Sequence, residues 1–238
     1  MEHKISIMKK GGVITTPTNA VELGWTMDDI VGIVVQTPVI GLVVSIDKWD
    51  EIWGEYGRVF HTDDDYTGDS QNLMDLSGKE LTDKIIDFMD NATQQRMYAA
   101  KRCKEYDKGG LNWYLPSVYE LCTICAFKDE IRKAMEVFGI TDEDMLNFED
   151  YHWSSSEYNS YTAVYVNFDS GNIYFNFKSN SYSVRAVSAF EPLGPFNSSH
   201  CEQGEQCAFD SLTLSDEQLV AELKKRGYSG EVIKTLKV

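Results

Sequence analysis

Residues 153–190 read WSSSEYNSYTAVYVNFDSGNIYFNFKSNSYSVRAVSAF, and the pattern of this segment is typical of β-strands. Between positions 163 and 168, the residues of one parity are apolar: Val164, Val166 and Phe168. The positions between them hold Tyr165 and Asn167. Because successive side chains of a β-strand point to opposite faces, this alternation predicts a strand with one buried face and one exposed face.

A hairpin follows this strand. Residues 169–172, Asp-Ser-Gly-Asn, are typical of a turn, and residues 172–178 form the predicted return strand. Phe175 and Phe177 have two interpretations. Strand parity places them with Ile173 in the core, whereas a binding surface would keep them outside as exposed anchors. Residues 184–190 are predicted to form one closing strand.

The N-terminal part consists of short β-branched runs that are separated by turn signals. These runs predict strands at residues 4–8, 13–16, 30–35 and 39–46. Residues 54–75 are rich in Gly, Asp, Ser and Asn, which is typical of a long surface loop.

The middle of the chain has helical periodicity. One helix has Ser117 as its N-cap and runs through Ile124, and residues 129–138 either continue it or form another helix. Strands that flank a run of helices predict an α+β fold. Two earlier helices are predicted at residues 78–89 and 92–106, the second of them stopped by Gly109 and Gly110.

The end of the chain differs in composition from the rest. Residues 191–212 have no periodicity and include Pro, Gly and Ser, which predicts a linker. Residues 215–218, Ser-Asp-Glu-Gln, match a capping box that opens a helix stopped by Gly227. The predicted organisation is a main domain at residues 1–190, the linker, and a helical tail at residues 213–238 that docks on the domain or on another protein.

The charge balance excludes several classes of partner. The chain has 22 basic and 38 acidic residues and a net charge of −16, so its field repels phosphate backbones and anionic lipids. Neither nucleic acid binding nor membrane insertion is expected. The N-terminus has no apolar signal-peptide core, so synthesis in the cytoplasm without a signal peptide is predicted. Five scattered cysteines do not indicate a disulfide framework.

No common catalytic signature occurs in the sequence. A Gly-rich phosphate loop, a His-Glu-x-x-His motif and a Gly-x-Ser-x-Gly motif are all absent. The prediction is therefore a protein that is not an enzyme and has neither catalytic residues nor a cofactor. Trp113 and Trp153 are predicted to lie in the core, and Arg185 is predicted to be a buried cation with its hydrogen bonds satisfied.

Three features could suggest a metal site or a disulfide. Cys122 and Cys125 form a Cys-x-x-Cys pair in a predicted helix without a second pair, so they are interpreted as small buried residues. Residues 63–69, from Asp63 to Asp69, match half of a calcium loop but lack its final Glu. No metal site is predicted, although the sequence does not decide whether this segment binds calcium, or whether Cys201 and Cys207 pair.

Four segments together resemble one family. They are Gly11–Ile14, Trp113–Ser117 followed by Glu120-Leu121, Trp153–Glu157 and Val184–Phe190. The sequence resembles bacterial and phage domains related to the C-terminal lectin domain of collagen-like adhesins. The resemblance implies the C-type lectin-like fold, which that family shares with the formylglycine-generating enzyme.

Within that family, the segment 158–183 resembles the variable region of proteins diversified by diversity-generating retroelements, and the wider variable region would cover about residues 153–190. Such systems randomise template adenines, so Asn codons ending in a pyrimidine become Tyr, Ser, Asp and similar codons. The segment has five Tyr, five Asn, five Ser and three Phe, and only Lys178 has no pyrimidine-ending codon. The alternative is an ordinary polar hairpin, in which these residues are also common.

The predicted function is non-enzymatic binding of a cell-surface protein or glycan, as a receptor-binding or adhesion protein acting on a virion or cell surface. Tyr supplies stiff contact area with a polar tip, and Ser, Asn and Gly supply adaptable hydrogen bonds. One alternative is a structural or decoration protein of a virion, in which the tail docks the domain on other virion components. Another is an enzyme of the formylglycine-generating kind, although residues 153–190 lack the cysteines of that branch. The predicted ligand-binding residues are Tyr165, Asn167, Asp169, Tyr174 and Asn176 at the centre, with Tyr158, Asn159, Tyr161, Thr162, Asn180 and Tyr182 around it.

Overall fold

A computed structural model describes residues 4–57, 59, 77–91, 96–139 and 151–190. All of them belong to the compact unit Met1–Phe196. The predicted linker at 191–212 and helical tail at 213–238 lie outside the described residues, as does most of the predicted loop at 54–75. The domain boundaries therefore stay predictions.

The described chain contains ten strands and five α-helices. A short 3₁₀ turn, Met27–Asp29, precedes the third strand. In chain order, the elements are β1 (Lys4–Lys9), β2 (Ile14–Thr15), α1 (Pro17–Glu22), β3 (Ile30–Gln36), β4 (Gly41–Ser45), β5 (Trp49–Ile52), α2 (Gly78–Asn91), α3 (Ala99–Lys104), α4 (Val118–Ala126), α5 (Lys128–Glu136), β6 (Tyr151–Glu157), β7 (Thr162–Asn167), β8 (Ile173–Phe177), β9 (Ser181–Val184) and β10 (Val187–Phe190).

The strands form two five-stranded sheets. The first has the order β10-β4-β3-β1-β2, and all its pairs are antiparallel. The second has the order β5-β9-β6-β7-β8, with a parallel contact between β6 and β9 and antiparallel pairs elsewhere. The predicted α+β class is confirmed by this arrangement.

The core is built around the sheets and includes three tryptophans, Trp53, Trp113 and Trp153, each of them buried. The last two were predicted to lie there. Trp53 donates a hydrogen bond from Nε1 to the Ser154 carbonyl at 2.8 Å, so even its polar atom is satisfied inside the core.

Helix α4 begins at the predicted N-cap. The Ser117 hydroxyl accepts a hydrogen bond from the Glu120 backbone N–H at 3.3 Å, and the Glu120 carboxylate accepts one from the Ser117 N–H at 2.7 Å. This reciprocal pair is a capping box. The helix ends at Phe127, where the backbone leaves helical geometry (φ −110°, ψ 17°), and α5 follows as a separate helix.

Of the helix predicted at residues 92–106, the part at 92–95 lies outside the described residues, and the described part is shorter than the periodicity indicates. Helix α3 covers only Ala99–Lys104, and the buried Tyr98 before it is extended (φ −147°, ψ 165°). Packing of Tyr98 in the core outweighs local helix propensity there. The chain leaves the helix at Glu105, before Gly109 and Gly110, which both adopt positive φ.

The single closing strand predicted at residues 184–190 is wrong. The chain forms β9 in the second sheet, crosses at Arg185 and Ala186, and forms β10 in the first sheet. The crossing is held by the buried Arg185, whose Nη1 donates to the carbonyls of Ser45 at 2.8 Å and Ile46 at 2.9 Å. The prediction of a buried cation at Arg185 is confirmed, and these bonds satisfy its Nη1 group. Burial lowers its pKa to about 10, so the guanidinium stays charged at neutral pH.

Candidate ligand-binding surface

The predicted site residues all lie on or beside strands β7, β8 and β9 of the second sheet. None of them is buried. Tyr161, Asp169 and Tyr174 are exposed, and the other eight are half-buried. They are Tyr158, Asn159, Thr162, Tyr165, Asn167, Asn176, Asn180 and Tyr182.

Four tyrosines from four strands meet around Tyr165. In the antiparallel register, Tyr165 lies opposite Tyr174 of β8, and the ring centroids are 5.7 Å apart. Its ring lies 5.2 Å from that of Tyr151 on β6 and 4.8 Å from that of Tyr182 on β9. Beneath them the buried Trp153 ring lies 4.7 Å from Tyr182. We call Tyr151, Tyr165, Tyr174 and Tyr182 the tyrosine face.

Hydrogen bonds fix the polar tips of the tyrosine face. Asn176 donates from Nδ2 to the Tyr182 hydroxyl at 2.5 Å, and Asn172 donates from Nδ2 to the Tyr174 hydroxyl at 3.3 Å. Partial burial, followed by the three neighbouring tyrosines, raises the pKa of Tyr165. Its hydroxyl therefore stays protonated at neutral pH. Such a surface loses little conformational entropy on binding.

The exposure of the side chains on the opposite face of β8 decides between the two interpretations of Phe175 and Phe177. Ile173, Phe175 and Phe177 are 48%, 52% and 54% exposed, so the assignment to the core is wrong. The reason is their place in the sheet. Helix α4 covers the apolar side of β6 and β7, but β8 is the outer strand and the core ends before it. The Phe175 ring instead stacks on Tyr158 with centroids 4.0 Å apart.

Two of the predicted binding residues shape the backbone. The Asn159 Oδ1 accepts hydrogen bonds from the N–H groups of Tyr161 and Thr162, both at 2.8 Å. The Asn167 Oδ1 accepts one from the Asp169 N–H at 2.9 Å at the start of the hairpin turn. Asn side chains form such turns readily. The amide oxygens of Asn159 and Asn167 are thus engaged in holding the loops.

A comparison with family models identifies the chain's relatives. The model described as the Lcl C-terminal domain matches residues 64–188, which is just over half of the chain. The chain belongs to the Lcl C-terminal domain family. The match contains the Trp113–Ser117 and Trp153–Glu157 segments and most of Val184–Phe190, so the resemblance found in the sequence is confirmed.

Among solved structures, this member of the Lcl C-terminal domain family is similar to a fimbrial protein from Bacteroides ovatus ATCC 8483. The TM-score is 0.58 and the sequence identity is 14%, with 78% of this chain and 48% of that chain covered. The likeness at this identity concerns the fold alone, and the chain spans about half the length of that protein. No curated protein matches the chain.

The charged pair Lys178 and Glu157 of this Lcl C-terminal domain was not found from the sequence. Both side chains are fully buried, and the Lys178 ammonium contacts the Glu157 carboxylate. It also donates to the Gly57 carbonyl at 2.6 Å and lies 4.6 Å from the Trp53 ring centre. Burial lowers the pKa of Lys178, while Glu157 opposes that shift. Lys178 is the one residue of the segment 158–183 without a pyrimidine-ending codon, and it belongs to the scaffold beneath the surface.

Two exposed tyrosines outside the segment 158–183 join the surface and were also missed. Tyr151 belongs to the tyrosine face. Tyr56, which follows β5, shares a hydrogen bond with the Ser179 hydroxyl at 2.9 Å and packs edge-on against Tyr161, with ring centroids 5.7 Å apart. No local signal marks Tyr56, because its neighbours are more than 100 positions away in the chain.

The cysteine pair of this Lcl C-terminal domain lies on α4. Cys125 is buried as predicted, and Cys122 is half-buried. Burial raises both thiol pKa values, that of Cys122 to about 11, so both thiols are protonated at neutral pH. Within the described ranges, no group of three or more His, Cys, Asp or Glu is placed to hold a metal ion. The segment Asp63–Asp69, Cys201 and Cys207 lie outside those ranges.

None of the helices in the described part of the chain combines the length and the apolar character needed to cross a bilayer.

Proposed function

We propose that this chain is a non-enzymatic receptor-binding or adhesion protein, with a C-type lectin-like scaffold that displays residues 158–183 to a ligand. The observation that carries the proposal is the tyrosine face. Four tyrosines from four adjacent strands meet in ring contacts, and neighbouring asparagines hold two of their hydroxyls. Aromatic rings that are already ordered provide contact area at low entropic cost.

The charge of the surface also supports ligand binding. In the segment 158–183 the charged residues are Asp169 and Lys178, and Lys178 is buried. A nearly neutral aromatic surface is therefore part of a chain with a net charge of −16. Interface centres are typically depleted in charge and rich in Tyr, Trp and Phe. The expected partner is a cell-surface protein or glycan. This protein would bind it while itself part of a virion or a cell surface.

The proposal includes diversification of this segment by a retroelement. Its support is the surface of the segment. Every exposed or half-buried position there holds a residue with a pyrimidine-ending codon, whereas the exceptional Lys178 lies in a buried ion pair. A segment that varies at the surface needs such fixed residues beneath it, because a lost partner would leave a buried charge alone.

Reading the coding locus tests the diversification. We expect an imperfect repeat of the segment beside a reverse transcriptase, with differences only where the repeat has adenine. A locus without a repeat, or with differences spread over all four bases, would refute diversification and leave a fixed binding surface.

The binding function is tested with the full chain on arrays of bacterial surface proteins and glycans. We expect a target whose binding falls at least about tenfold in Tyr174→Ala, since central aromatic contacts dominate binding energies. Leu23→Ala is the matched control, because Leu23 is an exposed apolar residue outside the second sheet. Equal binding of both variants, or no target on either array, would contradict the proposal.

A further inference from the structure

Strand β8 has an open backbone edge. On one side it pairs with β7, and among the described residues no strand pairs with its other side. Asn167 N–H donates to the Asn172 carbonyl at 2.9 Å, and Lys178 N–H donates to the Tyr161 carbonyl at 2.9 Å. Hydrogen-bonded pairs alternate along an antiparallel ladder, so the even-numbered residues from 172 to 178 face β7. The N–H and C=O groups of residues 173, 175 and 177 therefore point outward.

One end of this edge is closed by the chain itself. The Phe177 N–H donates to the Asn176 Oδ1 at 2.8 Å, and the Phe177 carbonyl accepts a hydrogen bond from the Asn180 N–H at 2.9 Å. The outward groups of Ile173 and Phe175 remain. These are two N–H and two C=O groups at the two-residue spacing that a further strand requires.

Among the residues that the structure describes, the edge also lacks the features that usually prevent strand addition. Natural edge strands are protected by Lys, Pro, bulges or a covering element. Strand β8 reads Ile-Tyr-Phe-Asn-Phe, without charge or proline, and it pairs with β7 in unbroken register. Ile173 and Phe175 are exposed on one face, and Tyr174 is exposed on the other. A strand added here would find aromatic contacts on both of its sides.

We propose that the edge of β8 at Ile173 and Phe175 binds an extended segment of the target protein as an added strand. The inference rests on the proposed binding function and names the target as a protein. Charge argues against a second copy of this chain as the occupant, because each copy has a net charge of −16 and the two would repel each other. Asp169 is exposed in the turn that leads into β8 and adds to the negative field. The matching segment is accordingly neutral or basic.

Amide hydrogen exchange of the full chain, followed by NMR, tests whether the edge is open. The N–H groups of Ile173 and Phe175 should exchange much faster than those of Tyr174 and Asn176, which face β7. Protection of Ile173 and Phe175 at every protein concentration would mean that another part of this chain covers the edge. Protection that grows with concentration would mean that a second copy does. Either result overturns the proposal.

A displayed library of random 12-residue peptides, panned against the full chain, tests the kind of partner. Enriched peptides should carry more Lys and Arg than Asp and Glu. N-methylation of the peptide backbone should weaken binding about tenfold at positions of one parity only, since only those N–H groups face β8. No enrichment, or equal effects at both parities, overturns the proposal without any change to the protein.

The protein side is tested with Ile173→Pro and its control Ile173→Ala. Proline is tolerated at the first residue of an edge strand and removes the outward N–H, whereas alanine keeps it. Ile173→Pro should weaken an enriched peptide about tenfold more than Ile173→Ala does, and both variants should keep their melting temperature. Equal binding of the two variants refutes strand addition. An array target that depends on Tyr174 while no peptide is enriched would refute this inference and leave the proposed function standing.

Discussion

The buried pair of Lys178 and Glu157 gives the sharpest test of the scaffold. In Lys178→Met the cation is replaced by an apolar side chain of similar length, and the Glu157 carboxylate stays fully buried. It still accepts a hydrogen bond from the Val59 N–H at 3.1 Å, but it loses its cationic partner. Removing one partner of a buried ion pair costs about 3–5 kcal/mol, because the remaining charge is uncompensated. Domains have a total stability of about 5–15 kcal/mol, so the variant should fold with a much lower stability.

The measurement is urea denaturation followed by tryptophan fluorescence, since Trp53 lies 4.6 Å from the Lys178 ammonium. The double variant Lys178→Met with Glu157→Gln should recover most of the loss, because no buried charge remains. The matched control is Lys104→Met, whose partner Asp83 lies at 2.6 Å with side chains that are 44% and 48% exposed. An exposed pair contributes at most about 1 kcal/mol. A loss in Lys178→Met no larger than in Lys104→Met would refute the reasoning.

Three further predictions concern the core and the surface. Burial raises the pKa of Tyr98 to about 12, and no described residue accepts a hydrogen bond from its hydroxyl. The folded state therefore holds this proton more tightly than the unfolded state, so the free energy of unfolding should fall between pH 10 and pH 12. Measured across that range, the fall should be less steep in Tyr98→Phe, which has no hydroxyl to titrate. Ser117→Ala should cost about 1 kcal/mol in urea denaturation by removing the cap of α4, and an unchanged midpoint would contradict the capping box. Tyr165→Ala should lower stability by about 1–2 kcal/mol through lost ring contacts, and Asn176→Ala by about the same amount through the lost hydrogen bond to Tyr182. Val166→Asp buries an unpaired charge and should therefore abolish cooperative unfolding as followed by circular dichroism.

Local patterns in the sequence predicted the elements that depend on residues close together in the chain. The capping box at Ser117 needs only residues three positions apart, so the start of α4 could be predicted. The parity of β7 was also sufficient, because α4 covers Val164 and Val166 on one face while the tyrosine face lies on the other. The same rule failed at β8, since parity alone does not reveal which strand is the last in a sheet.

Other features depend on contacts between distant parts of the chain. Glu157 and Lys178 are 21 positions apart, and their pairing also needs Gly57, which precedes them by about 100 positions. The division of residues 184–190 into two strands follows from the bonds of Arg185 to β4 and the residue after it, about 140 positions away. The candidate binding residues were selected by composition, but the ring contacts among them and the position of Tyr56 required the fold.

In the second sheet burial decreases from β6 through β7 to β8, so the contribution to stability decreases in the same direction. The middle of β6 is buried, and the Ser154 hydroxyl donates to the Val164 carbonyl at 2.8 Å while the Ser156 hydroxyl accepts from the Val118 N–H at 3.1 Å. Strand β7 has one buried face, and β8 has none. A side chain that contacts solvent contributes little to folding, so its replacement usually changes stability by less than about 0.5 kcal/mol. The exposed residues of β8 should therefore tolerate substitution best, and they are the residues that an added strand or ligand would contact.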